Sequence, residues 1–330
     1  MQFKKYVFLY WHSGELSLPT LLKANLKNIR HRLNGSGWKV ILLSRNSSEE
    51  NFIGNWIDLH QCIDSIPQKR IETSGNEALI GDVIRLSLLL KYGGAYFDIS
   101  TILLRNSIDE VSLYKRFIGN KNATFAGYSN VTFTNKVNGT PAFRNAIDGI
   151  ELGALFAEKG SSFLEVYLKE IYKYWEWKKE RYDYRNYPDF KKYHLNSKSF
   201  SNEYHVHYSI YHLMIYKYPE LQIQIESQSI HMIGKEESIL HGPYAFTDLF
   251  AREDGYSTAS TEKLLQAFTD EVVCDYKGNE LTLNYRKSIL EKMDLIIIPS
   301  YLRKSIEQKL EGLSCPTELG GCFDCLYIFS

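Results

Sequence analysis

Tyr6–Trp11 is an unbroken apolar and aromatic run that predicts a buried strand, ending in the polar turn His12–Glu15. Pro19 stands where a helix would begin, and Leu21, Leu22, Asn25, Leu26 and Ile29 follow at helical spacing. Gly35–Gly37 breaks that helix, and Trp38–Leu43 predicts a second strand. A strand–helix–strand opening marks an α/β sheet whose first strands are parallel. Ligands of such sheets gather at the carboxyl ends of strands, where Trp11 and Arg45 fall.

A long helix is predicted from Ile71 to Tyr92, with Ala78, Leu79, Val83, Leu86, Leu89 and Leu90 as its apolar face. Gly93-Gly94 ends it, and Ala95–Ile99 follows as a short strand running into Ser100 and Thr101. Phe125–Gly127 and Val131–Phe133 predict further strands. From Thr140 onward the pattern reads as helical, with Phe163, Leu164, Tyr167, Leu168, Ile171 and Trp175 as one stripe. Trp175–Tyr193 reads as an aromatic, charged linker, and Tyr204–Tyr216 as another helix. Two or three helices are expected after Gly242-Pro243. The expected architecture is an α/β domain over 1–250 with a central mixed sheet, followed by a helical C-terminal extension over 251–330.

Composition narrows the function classes more than the fold. Lysine plus arginine equals aspartate plus glutamate, so the formal net charge is zero, which argues against a nucleic-acid partner. No apolar run approaches the roughly twenty residues of a membrane span. Only six apolar residues lie between Lys5 and His12, too few for the core of a secretory signal. The expectation is a cytoplasmic protein, with peripheral attachment to the inner face of a membrane left open. Cys315, Cys322 and Cys325 lack a fourth nearby zinc ligand and read as reduced thiols.

The chemistry concentrates in Gly81–Ser100. Asp82 and Arg85, three apart on a helix, share a face and can address one ligand. The carboxylate can hold sugar hydroxyls, while the guanidinium offers a planar fork of donors to hydroxyls or phosphate. Gly93-Gly94 lets backbone approach a ligand closely. Asp98 ends a strand, where a hard oxygen ligand can meet Mg²⁺ or Mn²⁺ bridging two phosphates. Each feature alone has a plainer explanation: a surface ion pair, a helix cap, a turn. Their order carries the inference.

In that order the block resembles the sugar-binding region of glycosyltransferase family 32 and the related capsular polysaccharide synthesis proteins, a pattern shared by large clostridial glucosylating toxins. The common form is Ser-Asp-x-x-Arg, a hydrophobic helix, Tyr-Gly-Gly, a hydrophobic and aromatic stretch ending in Asp, and a short metal motif. Asp82, Arg85, Tyr92, Gly93, Gly94, Tyr96 and Asp98 match it residue by residue. Gly81 stands where serine is usual, and Asp98-Ile99-Ser100 replaces the fuller Asp-x-Asp, as is common in the capsular subgroup. The resemblance covers about residues 5–250, with specific motifs only over 81–100. It implies a GT-A-type nucleotide-diphospho-sugar transferase fold, a UDP- or GDP-sugar donor, a glycan or other hydroxyl acceptor, Mn²⁺ or Mg²⁺, and retention of configuration. Asp82, Arg85 and Asp98 would be catalytic, with Trp11, Gly93, Gly94 and Tyr96 completing the donor site. Asp98 and Ser100 would hold the metal. His241, in a Gly-Pro element resembling one late in family 32, would be a further metal or pyrophosphate contact. Two other readings remain: a toxin-like transferase acting on protein, and a non-catalytic sugar-nucleotide module that has lost the second Asp.

Overall fold

The computed structural model describes residues 4–58, 76–130, 136–137, 140–141, 149–178, 186–193 and 206–229, and then 266, 270, 272–274, 278–291, 293–298 and 306. The chain forms two compact units that interleave along the sequence. One takes 1–14, 41–96 and 113–227, and the other 15–40, 97–112 and 228–330.

Twelve strands are named here in chain order, in two groups. The earlier ones are β1 (Tyr6–Tyr10), β2 (Lys39–Leu43), β3 (Gly94–Phe97), β4 (Thr101–Leu103), β5 (Phe125–Asn130), β6 (Lys136–Val137) and β7 (Thr140–Pro141). The later ones are β8 (Gly149–Ala157), β9 (Ile225–Ser229), β10 (Val272–Cys274), β11 (Glu280–Thr282) and β12 (Leu295–Ile297). The α-helices are α1 (Thr20–Arg32), α2 (Asn76–Tyr92), α3 (Ser112–Gly119), α4 (Ser162–Lys178), α5 (Pro188–Lys192), α6 (Val206–Lys217) and α7 (Leu283–Leu290).

The first unit is built on a six-stranded sheet of order β2-β1-β3-β8-β5-β9. β1 and β3 run parallel, with Val7 opposite Ala95 and Phe8 opposite Tyr96, whereas β5 and β8 are antiparallel. The sheet is mixed, as expected. Leu79, Ile80, Val83, Ile84, Leu86, Leu88 and Leu89 are all buried, so α2 is enclosed on nearly every side. Phe163, Tyr167, Ile171 and Trp175 of α4 and Val206, Ile210 and Met214 of α6 extend the same core. Rings interlock within it: Phe125 stacks on Phe163 at 4.8 Å, and Tyr174 meets Tyr187 edge to face at 5.3 Å.

The turn out of α2 admits no side chain. Gly93 and Gly94 have φ of 68° and 106°. A Cβ on Gly93 would lie 2.7 Å from the Lys159 nitrogen, and one on Gly94 would lie 2.7 Å from the Tyr6 oxygen.

Two segments of the first unit differ from the reading of the sequence. Gly149–Ala157, expected within a helical stretch, is a strand in the middle of the sheet. Residues 150–157 are buried throughout, so no polar–apolar alternation marks them. A bulge breaks the strand as well. Gly127 and Tyr128 are adjacent on β5, but their partners Leu155 and Glu151 stand four apart on β8. The supposed linker from Trp175 is helical to Lys178 and contains α5, which has Pro188 in its first turn. Val131–Phe133 lies outside the described residues.

In the second unit α1 lies against β4, and its buried polar side chains close backbone valences. Asn25 Nδ2 donates to the carbonyls of Ile99 and Thr101, both at 2.8 Å. Asn28 Nδ2 donates to Leu103 O at 3.3 Å and Arg32 Nη1 to Leu104 O at 3.1 Å. β12 pairs antiparallel with β4, matching Leu295, Ile296 and Ile297 to Leu103, Ile102 and Thr101. Asp294, just before β12, accepts from Arg105 Nε at 2.9 Å and from Ser112 N at 2.8 Å. Beyond residue 250 the described elements are the β10–β11 hairpin, α7, which is capped by Thr282, and β12. Strands thus accompany a helix in the segment expected to be helical.

Candidate active site

The first unit brings Asp82, Arg85 and Tyr96 together. Arg85 Nη2 stands 3.2 Å from Asp82 Oδ1, the helical pairing expected from their spacing. Arg85 is only 7% exposed. Its Nε donates to Gly81 O at 3.3 Å, Nη1 donates to Leu152 O, and the guanidinium sits 4.8 Å from the centre of the Tyr96 ring. A buried cation needs such a cage, because desolvating it without partners costs several kcal/mol. Leu152 lies at the β8 bulge, where residues 152–154 fall between the two register positions of the pairing with β5.

Asp82 has a second grip that sequence reasoning missed. His207 of α6, fully buried, places Nδ1 2.9 Å from Asp82 Oδ2. On its far side His207 Nε2 accepts from Trp175 Nε1 at 3.1 Å, and its backbone carbonyl accepts from Tyr167 Oη at 2.7 Å. Burial, reinforced by the negative charge of Asp82, pushes the Tyr167 phenol well above its usual value. His207 follows Asp82 by 125 residues, and no local motif points to it. Glu151, buried at the bulge, was also missed. Its Oε1 accepts from Gly153 N at 3.1 Å and from Tyr208 Oη at 3.5 Å.

Trp11 stands at the end of β1, as expected, with its nitrogen bonded to Leu43 O at 3.0 Å and its ring 5.2 Å from that of His12. Tyr10 beside it is buried. Desolvation first, then the Glu77 carboxylate, raises its phenol, and Arg45 opposes them. What approaches Gly93 and Gly94 closely is protein backbone, from Lys159 and Tyr6.

Asp98 and Ser100 belong to the second unit. They form the turn between β3 and β4, closed by Thr101 N donating to Asp98 O at 2.8 Å. Ser100 is buried, and its carbonyl accepts from Ile298 N at 3.2 Å. With Asn25 holding the carbonyls of Ile99 and Thr101, the turn is tied down on both flanks. Among the described residues, no three His, Cys, Asp or Glu side chains lie close enough together to hold a metal ion by themselves. One carboxylate and one hydroxyl suit a hard cation that arrives with phosphate oxygens, as Mg²⁺ commonly does. His241 lies outside the described residues. Among the described residues no helix is long and apolar enough to cross a membrane.

The first unit thus combines a mixed sheet with an Asp–Arg pair on the helix that leads into the Tyr-Gly-Gly turn. Residues 1–241 match the capsular polysaccharide synthesis protein family, and the chain belongs to that family. Curated relatives are more distant. The O-glycosyltransferase PaGT of Phomopsis amygdali is 28% identical over 106 residues, which are 32% of this chain and 26% of that protein. The O-glycosyltransferase braB of Annulohypoxylon truncatum is 24% identical over 174 residues, 52% of this chain and 38% of that protein. The chain therefore spans well under half the length of these relatives. Among solved structures, the PaToxG glycosyltransferase shares 10% identity at a TM-score of 0.38, covering 67% of this chain and 73% of that one. That likeness is too distant to bear on fold or activity.

Proposed function

We propose that the chain is a GT-A-type glycosyltransferase that moves a sugar from a UDP- or GDP-sugar to an acceptor hydroxyl on a glycan, with retention of configuration, in capsular or surface polysaccharide synthesis. The observation that carries the reading is the caged pair of Asp82 and Arg85, in a chain of the capsular synthesis family. Asp82 is an acceptor for sugar hydroxyls, and Arg85 holds it and supplies positive potential towards the diphosphate. Trp11 flanks the base at the end of β1, where such sheets take their ligands. Asp98, with Ser100 beside it in the turn, would hold Mn²⁺ or Mg²⁺, which offsets the charge that develops on the departing nucleoside diphosphate. The bond from the anomeric carbon to the diphosphate breaks with its electron pair leaving on the diphosphate oxygen, a bond to the acceptor oxygen forms, and the acceptor's proton passes to the released nucleoside diphosphate. With an acceptor of this kind the enzyme works in the cytoplasm, at the inner face of the membrane.

Donor hydrolysis tests the reading, using UDP- and GDP-sugars with and without Mn²⁺. The expectation is slow, metal-dependent release of nucleoside diphosphate that Asp98→Ala abolishes. Metal-independent turnover that survives Asp98→Ala would remove the central assignment. Donor binding without any turnover would favour the non-catalytic module.

A further inference from the structure

We infer that His207 is a positioning residue for Asp82, kept by Trp175 in the neutral tautomer that carries its proton on Nδ1. The argument starts from an asymmetry between the partners. An indole N–H can only donate, so His207 Nε2, 3.1 Å from Trp175 Nε1, presents its lone pair there. A neutral imidazole with a bare Nε2 carries its proton on Nδ1. That proton faces Asp82 Oδ2 at 2.9 Å, and an ionised carboxylate can only accept. A ring turned over would place carbon atoms at both contacts and lose both bonds. The relay therefore has one direction: Trp175 donates to His207, and His207 donates to Asp82.

The consequence lies at Asp82. Arg85 Nη2 holds Oδ1 from within α2, while His207 holds Oδ2 from α6. Gripped at both oxygens, the carboxylate cannot swing about its terminal torsion, so its remaining lone pairs point in set directions. His207 is fully buried and touches no solute itself. It acts through Asp82, selecting a donor sugar by where that sugar's hydroxyl protons fall. The ligand's identity rests on the glycosyltransferase reading; the tautomer does not.

Two measurements on the full chain test this separately. With ¹⁵N-labelled histidine, the ring-nitrogen shifts of ligand-free protein report the tautomer directly. A protonated Nδ1 with a bare Nε2 is expected for His207, moving towards a mixture in Trp175→Phe. A protonated Nε2 would overturn the inference. Titration with UDP-glucose, UDP-galactose and GDP-mannose in Mn²⁺ reads the positioning role. His207→Ala is expected to weaken the apparent donor Kd by roughly ten- to a hundredfold, the usual cost of losing a group that orients a ligating side chain. His207→Asn, whose amide nitrogen overlies Nδ1, recovers most of the loss. His207→Gln, whose amide reaches the Nε2 position, does not. Asn and Gln variants of equal affinity would overturn the inference, since a purely structural role has no reason to tell them apart. Should Ala unfold the unit, the Asn and Gln pair still decides. A wild-type chain that binds none of the three donors sinks the glycosyltransferase reading and the donor role with it. A wild type that binds, with His207 variants unchanged, sinks only this inference.

Discussion

Asp82 and Asp98 come from one short stretch of chain, but they are supported by different means. Asp82 sits on a helix and is held through its side chain, by Arg85 on one oxygen and His207 on the other. The turn of Asp98 is held through main chain, by Asn25 on the carbonyls of Ile99 and Thr101 and by Ile298 on that of Ser100. A side-chain cage sets the directions of lone pairs, as recognition of a sugar requires. A tied-down backbone sets where a carboxylate begins, which suits a cation that arrives with its own oxygens.

The comparison breaks most sharply at Arg85. Arg85→Lys keeps the charge but replaces a planar fork with a point donor, losing the guanidinium bonds to Gly81 O and Leu152 O. The expected cost is about 3 kcal/mol of stability and at least tenfold in donor affinity, read by denaturant titration and calorimetry. A lysine variant equal to wild type in both would mean that the cage is incidental.

Acid should loosen the first unit through a residue outside the motif. His212, on α6 five residues after His207, is buried, and burial lowers its pKa from 6.5 to about 4. The folded state thus keeps it neutral where the unfolded chain takes up a proton. Its neutral form costs nothing above pH 6.5, and stability falls as the pH drops from 6.5 towards 4. The loss is about 2 kcal/mol at pH 5. His212→Leu should flatten that slope in urea midpoints measured between pH 7 and pH 5. An unchanged slope would place the acid sensitivity elsewhere.

Asn25 tests the main-chain half. Asn25→Leu has similar volume and donates nothing, so two buried carbonyls lose their partner at a cost of about 1.5 kcal/mol. The expected functional effect is on the metal concentration needed for turnover, with metal-free donor binding unchanged. Equal loss of both would mean that the two supports are not independent.

These supports differ equally in how far the sequence reveals them. α2 and the turn after it were legible because an enclosed helix is apolar on most sides and Gly93-Gly94 marks its end. Asn25 was visible only as a member of an apolar stripe, since its partners are carbonyls, which every residue carries. β8 was misread because a bulged central strand, buried along 150–157, has no period-two alternation to mark it. His207 was illegible for another reason. Hydrogen bonds between residues 125 apart leave no spacing to find, and its meaning depends on Trp175, which reads as a core aromatic.

The smallest expected effect concerns Gly81, where the related motif has serine. A Cβ built on Gly81 would meet Arg85 Nη2 at 3.7 Å and Tyr10 Cδ1 at 3.9 Å, both ordinary contacts. Glycine inside a helix costs backbone entropy that a side chain restores. Serine is a middling helix former, so Gly81→Ser should stabilise the chain by about 0.5 kcal/mol. The added hydroxyl lies beside Arg85 and Tyr10, and donor affinity should hold or improve slightly. Stabilisation without loss of binding would mean that the cage around Asp82 does not depend on the missing side chain. Weaker binding in a more stable protein would mean that the bare α2 backbone at Gly81 is itself part of the donor site.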